Sequence, residues 1–370
     1  MTEDFLPFRE RNRLSELCRA GRLFEAQALL EDRQTCRLRQ TRKWTPLFYA
    51  VDRGFHSLVE VLLRYPHAEW DLKKGYWAAL RRRRGDLAAL ILKAGYDPGD
   101  ICFASALESG DQDVVQLLLE RYPDAGSDFA ITKAILRAPY SVANLVPMLS
   151  ESIPNWEEQV YAGMVSLADR GRLRPVLRYL RLGLDARREG AILDDREKPI
   201  CEMTTVEAAC GSGDMRLIRM LKPSPERDNS GRLFAHGFVT SLDRELIEFL
   251  IESGFDINCD AHRGCPVLRD VLCSATYKVL SEIHGHQNQW SMRTIVPNAT
   301  WLAERGAKWI SQDSYDLRCF RDNLILLGRE EGKNLLKVLR SYGALSTKDE
   351  KRLMGNPRMK RLFGLATSRK

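Results

Sequence analysis

The sequence lacks long hydrophobic runs, an apolar start and any familiar catalytic motif. No apolar stretch approaches the ~20 residues that a membrane-spanning helix needs, and residues 1–5 do not open an apolar signal segment. A serine-nucleophile elbow, a phosphate-binding loop, a dinucleotide-binding glycine pattern and a His-Glu-x-x-His zinc motif are all missing. These absences predict a cytoplasmic protein that is not an enzyme, needs no cofactor and does not bind membranes.

Histidine is scarce, and the cysteines form no framework. The 370 residues include 6 histidines and 9 scattered cysteines, an odd number that favours reduced thiols over disulfides. One spacing would suit tetrahedral zinc, namely that of Cys259, His262 and Cys265, with His284 and His286 downstream. The same residues also fit an ordinary surface turn, and we predict no metal site.

The charge balance is only mildly basic. Lys and Arg number 57 against 50 Asp and Glu, a net charge of +7, which is too small in a chain of this length to require a nucleic-acid partner. Apolar residues make up 44% of the sequence, more than a disordered chain contains. We therefore expect the chain to bury a core and fold.

What the sequence does contain is a repeat of about 30 residues. In its clearest copy an apolar segment over 46–51 leads to a turn at Gly54, and a second apolar segment follows over 58–63. Positions that align with Gly54 recur along the chain: Gly21, Arg83, Gly110, Ser141, Gly171, Gly213, Leu242, a position near Thr294, and Glu331. A period near 30 with two helices per unit predicts stacked helical hairpins.

Local chemistry supports these helix boundaries. Thr45 can cap a helix with its hydroxyl group, and Pro46 suits the first helical position. Thr204 and Glu207 have the spacing of a capping box. A glycine at the turn, as at Gly54, permits a positive φ angle.

These residues carry a family resemblance. Residues 45–50, read together with Gly54, resemble the ankyrin signature T-P-L-H-x-A, with Phe48 in place of the histidine. Residues 254–258 are similar to the ankyrin hairpin sequence G-A-D-V-N. The chain is therefore similar to the degenerate stand-alone ankyrin arrays of bacteria.

The resemblance implies an all-α fold, an ankyrin-like α-solenoid of about ten helix-turn-helix units over residues 1–345. Polar insertions near 185–203 and 281–295 lengthen the period and are expected to be loops, either slack or on the binding face. The basic segment 346–370 is expected to be a capping segment or a tail. The implied function is non-catalytic protein–protein interaction, as an adaptor, an inhibitor or immunity protein, or a subunit of a complex.

Aromatic and charged residues on the first helices are the candidate binding residues. Trp44 precedes the Thr-Pro pair, and Tyr49, Asp52 and Arg53 fall where the first helix of an ankyrin unit faces the concave surface. Tyr76 occupies the corresponding region one unit later, where it can instead pack inside the stack. These residue types are typical of interface anchors. Trp290, in the second insertion, is a further candidate.

Four consecutive arginines, Arg81, Arg82, Arg83 and Arg84, are predicted at a turn and therefore in solvent. They can bind an acidic or mixed protein surface, or the phosphates of a nucleic acid together with the basic segment 346–370. They can also be a solvated turn that Asp86 partly balances. We expect a protein partner, and keep a nucleic-acid-associated subunit as the alternative.

Overall fold

The computed structural model describes residues 6–31, 45–98, 103–124, 129–193, 199–236, 243–259, 268, 272, 292–309 and 314–363. This described part is mostly helical, with 21 helices and one two-stranded sheet. The all-α class expected from the sequence is therefore confirmed. No helix among these residues is long and apolar enough to cross a bilayer.

The chain divides into two compact units. The first comprises Met1–Leu167, Arg174–Leu184 and Glu189–Glu202, and the second comprises Ala168–Leu173, Asp185–Arg188 and Met203–Lys370. The single array expected over residues 1–345 stays a prediction.

Twelve helices lie largely in the first unit: α1 (Phe8–Ala20), α2 (Leu23–Glu31), α3 (Pro46–Arg53), α4 (His56–Leu63), α5 (Glu69–Arg81), α6 (Gly85–Lys93), α7 (Phe103–Ser109), α8 (Gln112–Arg121), α9 (Ala130–Arg137), α10 (Pro139–Ser152), α11 (Trp156–Asp169) and α12 (Leu173–Leu180). The first eight form four consecutive hairpins, in which α1 packs on α2, α3 on α4, α5 on α6 and α7 on α8.

These hairpins stack in register. Helices α1, α3, α5, α7 and α9 contact one another in sequence and form one row, and α2, α4, α6 and α8 form a second row. The packing follows from the apolar faces. Leu47 and Val51 on α3 are fully buried, and Leu62 on α4 is too. Each hairpin thus buries its apolar side against its neighbours.

The turn inside each hairpin has a left-handed backbone at the position that the repeat predicts. Gly54 has φ 76°, and Arg83 has φ 54° although it carries a side chain. The same region of φ is occupied at the other confirmed turn positions: Gly21, Gly110, Gly171 and Gly213.

Three predicted turn positions are wrong, and one lies outside the described residues. Ser141 is inside α10, because the break after α9 falls at Ala138 and Pro139 starts the next helix. Glu331 is likewise helical, and the turn before it is at Gly328, which has φ 83°. The position near Thr294 also lies within a helix. Leu242 is outside the described part of the chain.

Successive turns lie against one another at the repeat distance. A Cβ placed on Gly21 would lie 2.7 Å from the Phe55 ring, and one on Gly54 would lie 2.2 Å from the Arg84 guanidinium. In both cases the glycine of one hairpin faces the residue that follows the turn position of the next hairpin. The C-terminal ends of α1, α3 and α5 are therefore side by side.

The predicted insertion at 185–203 is more ordered than a loop. It contains strands β1 (Glu189–Leu193) and β2 (Pro199–Thr204), which pair as a two-stranded sheet. Gly190 explains how β1 lies on the helices, since a Cβ there would be 2.5 Å from the Tyr161 backbone. Only a residue without a side chain permits this approach.

The remaining nine helices lie in the second unit: α13 (Thr205–Ser212), α14 (Met215–Leu221), α15 (Ser230–His236), α16 (Arg244–Glu252), α17 (Met292–Glu304), α18 (Ser314–Leu327), α19 (Arg329–Ser341), α20 (Thr347–Gly355) and α21 (Pro357–Leu362). Thr204 and Glu207 form the predicted capping box at the start of α13. The basic segment 346–370 is helical up to residue 362, and α20 and α21 pack on α18. Of the second predicted insertion, residues 281–291 lie outside the described part.

Candidate functional site

Helix α3 separates a buried face from a surface face. The Thr45 hydroxyl accepts a hydrogen bond from the Phe48 amide at 3.0 Å, which starts the helix as the sequence predicted. Leu47 and Val51 then point into the core. The opposite face carries Tyr49 and Asp52, both half-buried, and Arg53, which is exposed.

Helix α5 adds the second wall of the candidate site. It packs directly on α3 and ends at Arg81, which is exposed, as are Arg82 and Arg83. Between the two helices lies an open depression of about 500 Å³, lined by Phe48, Tyr49, Asp52, Arg81 and Arg82. We call this the α3–α5 depression. All of its lining residues except Phe48 were predicted from the sequence as candidate binding residues.

An ion pair joins the two walls of the α3–α5 depression. The Arg82 Nε atom donates to Asp52 Oδ1 at 2.8 Å. The hydrogen bond and the charge of Asp52 both raise the pKa of the Arg82 guanidinium above its ordinary value. The carboxylate in this lining is therefore already neutralised by an arginine.

Arg84 is also paired, but outside the depression. It makes two hydrogen bonds to Asp86, at 2.9 and 2.7 Å, and a third to the Gly54 carbonyl at 3.2 Å. The hydrogen bond from Arg84 lowers the pKa of the Asp86 carboxyl group below its ordinary value. Arg84 is thus a structural link between two hairpin turns, which agrees with its being half-buried.

Among the described residues, three guanidinium groups near the depression make no ion pair, namely those of Arg53, Arg81 and Arg83, whereas Arg82 and Arg84 are paired. The Arg19 guanidinium lies 5.9 Å from the centre of the Tyr49 ring, in cation–π range. The surface therefore combines an aromatic ring with unneutralised positive charge.

Tyr76 does not belong to this surface. Its side chain is fully buried, and its ring centre lies 5.3 Å from that of Tyr96. Counted back from the turn at Arg83, Tyr76 corresponds to Leu47 in the preceding hairpin, and both point inward. The expectation that Tyr76 binds a partner is therefore wrong. Counting residues back from the predicted turn would have indicated that Tyr76 points inward.

Trp44 and Trp290 lie outside the described residues, as do His262, Cys265, His284 and His286. Cys259 is half-buried. Among the residues that the structure describes, no group of three or more His, Cys, Asp or Glu side chains is placed to hold a metal ion.

The sequence reasoning missed one buried polar pair at the start of α5. His67 Nδ1 lies 3.5 Å from Asp71 Oδ2, and both side chains are almost completely buried. The other ring nitrogen, Nε2, lies 2.8 Å from the Leu62 carbonyl oxygen. His67 lies two residues before α5 and Asp71 in its first turn, so a histidine and an aspartate spaced four apart at a helix start were the available signal.

Comparison of the sequence with models of known protein families gives no match, and comparison with curated proteins gives none either. The ankyrin resemblance therefore depends on the residues of this chain alone.

Proposed function

We propose that this chain is a non-catalytic protein-interaction module of the cytoplasm, built on an ankyrin-type helical array, and that its partner binds at the α3–α5 depression. The proposal covers an adaptor, an inhibitor or a subunit of a complex, since all three act by holding another protein.

The ankyrin-type part of the proposal is supported by local geometry. Thr45 caps α3, Pro46 follows as the first helical residue, and Gly54 ends the helix in the left-handed region. Two rows of helices in register fit a repeat array, in which each unit contacts its neighbours.

The α3–α5 depression is the observation that carries the functional part. Its lining offers aromatic rings and guanidinium groups, which dominate the binding energy of protein interfaces. Its carboxylate, Asp52, is engaged by Arg82 and so is poorly placed to act as a general base. Binding is therefore the chemistry that this lining favours.

The test is affinity capture of the tagged chain and of its Tyr49→Ala variant from the cells that express it, with and without nuclease, read by mass spectrometry. We expect a specific protein to survive nuclease treatment and to bind Tyr49→Ala at least about tenfold more weakly, as for a hot-spot aromatic residue. Tyr140→Ala is the control, because Tyr140 is an exposed tyrosine on α10, away from the depression.

Equal capture by wild type and Tyr49→Ala would contradict the proposal. Loss of every partner on nuclease treatment, with binding that falls steeply as salt rises, would favour the nucleic-acid alternative through Arg81, Arg83 and the basic segment 346–370.

A further inference from the structure

We propose that the partner presents an extended acidic segment, with a carboxylate at about every third residue, and that these carboxylates pair with the arginines that end α1, α3 and α5. This inference rests on the proposed function, because it names the partner chemistry of the same surface.

The three helix ends form a basic edge. Arg19 is the last but one residue of α1, Arg53 is the last of α3, and Arg81 is the last of α5. The turns that follow these helices stack on one another, so the three arginines lie at adjacent helix ends, and Arg53 is one position nearer to its turn than the other two. We call these three arginines, together with Arg83, the arginine edge.

The extent of the arginine edge follows from which arginines are paired with carboxylates. Its own four guanidinium groups have no carboxylate within ion-pair distance in the described part of the chain. The next helix of the row, α7, contains no Lys or Arg, and its Glu108 pairs with Arg137 of α9 at 3.1 Å. Among the last turns of α1, α3, α5 and α7, unpaired arginines of the described chain thus occur on three adjacent helices, which predicts a short acidic ligand.

Helix dipoles alone do not account for this arrangement. An arginine in the last turn of a helix is favoured by ~0.3–1 kcal/mol, which would suffice for Arg19, Arg53 and Arg81 taken singly. Arg83 lies beyond the helix, at φ 54°, where glycine is the favoured residue. Arg83 is strained, exposed and, within the described part of the chain, unpaired, which points to use of its side chain.

The spacing of the helices sets the spacing of the ligand. Packed helices lie ~8–10 Å apart. A polyproline II segment rises ~3.1 Å per residue with three residues per turn, so every third side chain returns to one face after ~9 Å. Carboxylates at positions i, i+3 and i+6 therefore match the ends of α1, α3 and α5.

The surface fits a peptide better than a nucleic acid. Bases bind protein surfaces by stacking on aromatic rings, whereas the Arg19 guanidinium lies over the Tyr49 ring. Asp52 and Arg82 neutralise each other between the two helices, so unpaired positive charge is offered at separate helix ends, which suits spaced carboxylates better than a continuous phosphate backbone.

The test uses two synthetic peptides of identical composition. The first consists of four Glu-Pro-Ala triplets, and the second places its four glutamates side by side. Binding to the full chain is measured by calorimetry up to a Kd of about 1 mM. We expect the spaced peptide to bind at least about fivefold more tightly, because only its carboxylates reach successive guanidinium groups.

Variants connect that preference to the arginine edge. Arg53→Gln combined with Arg81→Gln is expected to weaken the spaced peptide about tenfold, the sum of two exposed ion pairs. Lys93→Gln is the control, since Lys93 is exposed at the end of α6, in the other row of helices, and is expected to change binding less than about twofold.

Equal binding of the two peptides, no binding up to the limit, or no effect of the double variant would overturn the inference. So would an oligothymidylate that binds the arginine edge more tightly than the spaced peptide. If Tyr49→Ala loses the natural partner but Arg53→Gln/Arg81→Gln keeps it, the acidic segment proposed here is overturned and the proposed function is not. Retention of the partner in Tyr49→Ala would overturn the proposed function itself.

Discussion

Two neighbouring hairpins, α3–α4 and α5–α6, make the same turn with opposite residue types. Gly54 adopts φ 76° in the first, and Arg83 adopts φ 54° in the second. A side chain in this region costs ~1–2 kcal/mol relative to glycine. The repeat therefore requires the left-handed turn but does not require glycine, and the third unit carries an exposed charge there at the expense of stability.

The starts of the two hairpins differ as well. Helix α3 begins with the Thr45 hydroxyl as its cap, whereas Ala68 before α5 provides no side-chain cap. The buried pair of His67 and Asp71 lies at that start instead. The same architectural position thus has a side-chain cap in one hairpin and a buried polar pair, four residues apart in sequence, in the other.

The largest effect is expected from His67→Ala, which breaks the start of α5–α6. The change leaves the buried Asp71 carboxylate without its neighbour and removes one of the two donors to the Leu62 carbonyl, the other being the Tyr65 amide. We expect the free energy of unfolding in urea to fall by about 3 kcal/mol. If the pair is coupled, the double variant His67→Ala/Asp71→Ala loses less than the sum of the two single variants. If the losses of the two single variants simply add up in the double variant, His67 and Asp71 do not stabilise each other.

Gly54→Ala is expected to break the turn of α3–α4. Its new Cβ both strains the backbone and meets the Arg84 guanidinium, so unfolding becomes easier by about 2 kcal/mol. Gly95→Ala is the matched control, because Gly95 has φ 95° and a Cβ added there would meet no atom within 4 Å. Strain alone then predicts a loss of about 1 kcal/mol there. If both variants lose the same free energy of unfolding, the contact with Arg84 does not contribute to the cost at Gly54.

Arg83→Gly makes the opposite change at the turn of α5–α6. Glycine relieves the strain at φ 54° but makes the unfolded chain more flexible. We therefore expect the free energy of unfolding to rise by about 0.5–1 kcal/mol. The same variant is expected to weaken the spaced acidic peptide. A variant that is less stable than wild type would mean that the Arg83 side chain supports the fold.

The smallest effect concerns the link between the hairpins, Arg84 with Asp86. Because the pKa of Asp86 is lowered in the folded state, its contribution is present above the ordinary value of about 4 and is lost as pH falls below it. We expect Asp86→Asn to flatten the decline of the melting temperature between about pH 5 and pH 3. Asp113→Asn, at an exposed position on α8, is expected to keep the wild-type slope. An unchanged slope in Asp86→Asn would contradict the pairing.

Local features were predictable from the sequence because they depend on residues within one turn. The cap at Thr45, the capping box at Thr204 and the turn at Gly54 all follow from neighbours three or four positions away. The turn at Arg83 was also found, since the repeat placed it without a glycine. The shifted breaks at Ala138 and Gly328 were missed because a proline and a glycine outside the expected register decide them.

The helical class, most hairpin turns and the outward face of α3 follow from the amino-acid sequence, because helix period and capping act over a few residues. Three-dimensional packing was needed to establish that Asp52 engages Arg82 across 30 positions and that β1 lies on the backbone at Tyr161. These depend on how one hairpin meets the next. A pairing partner is chosen by distance in space, which no spacing along the chain specifies.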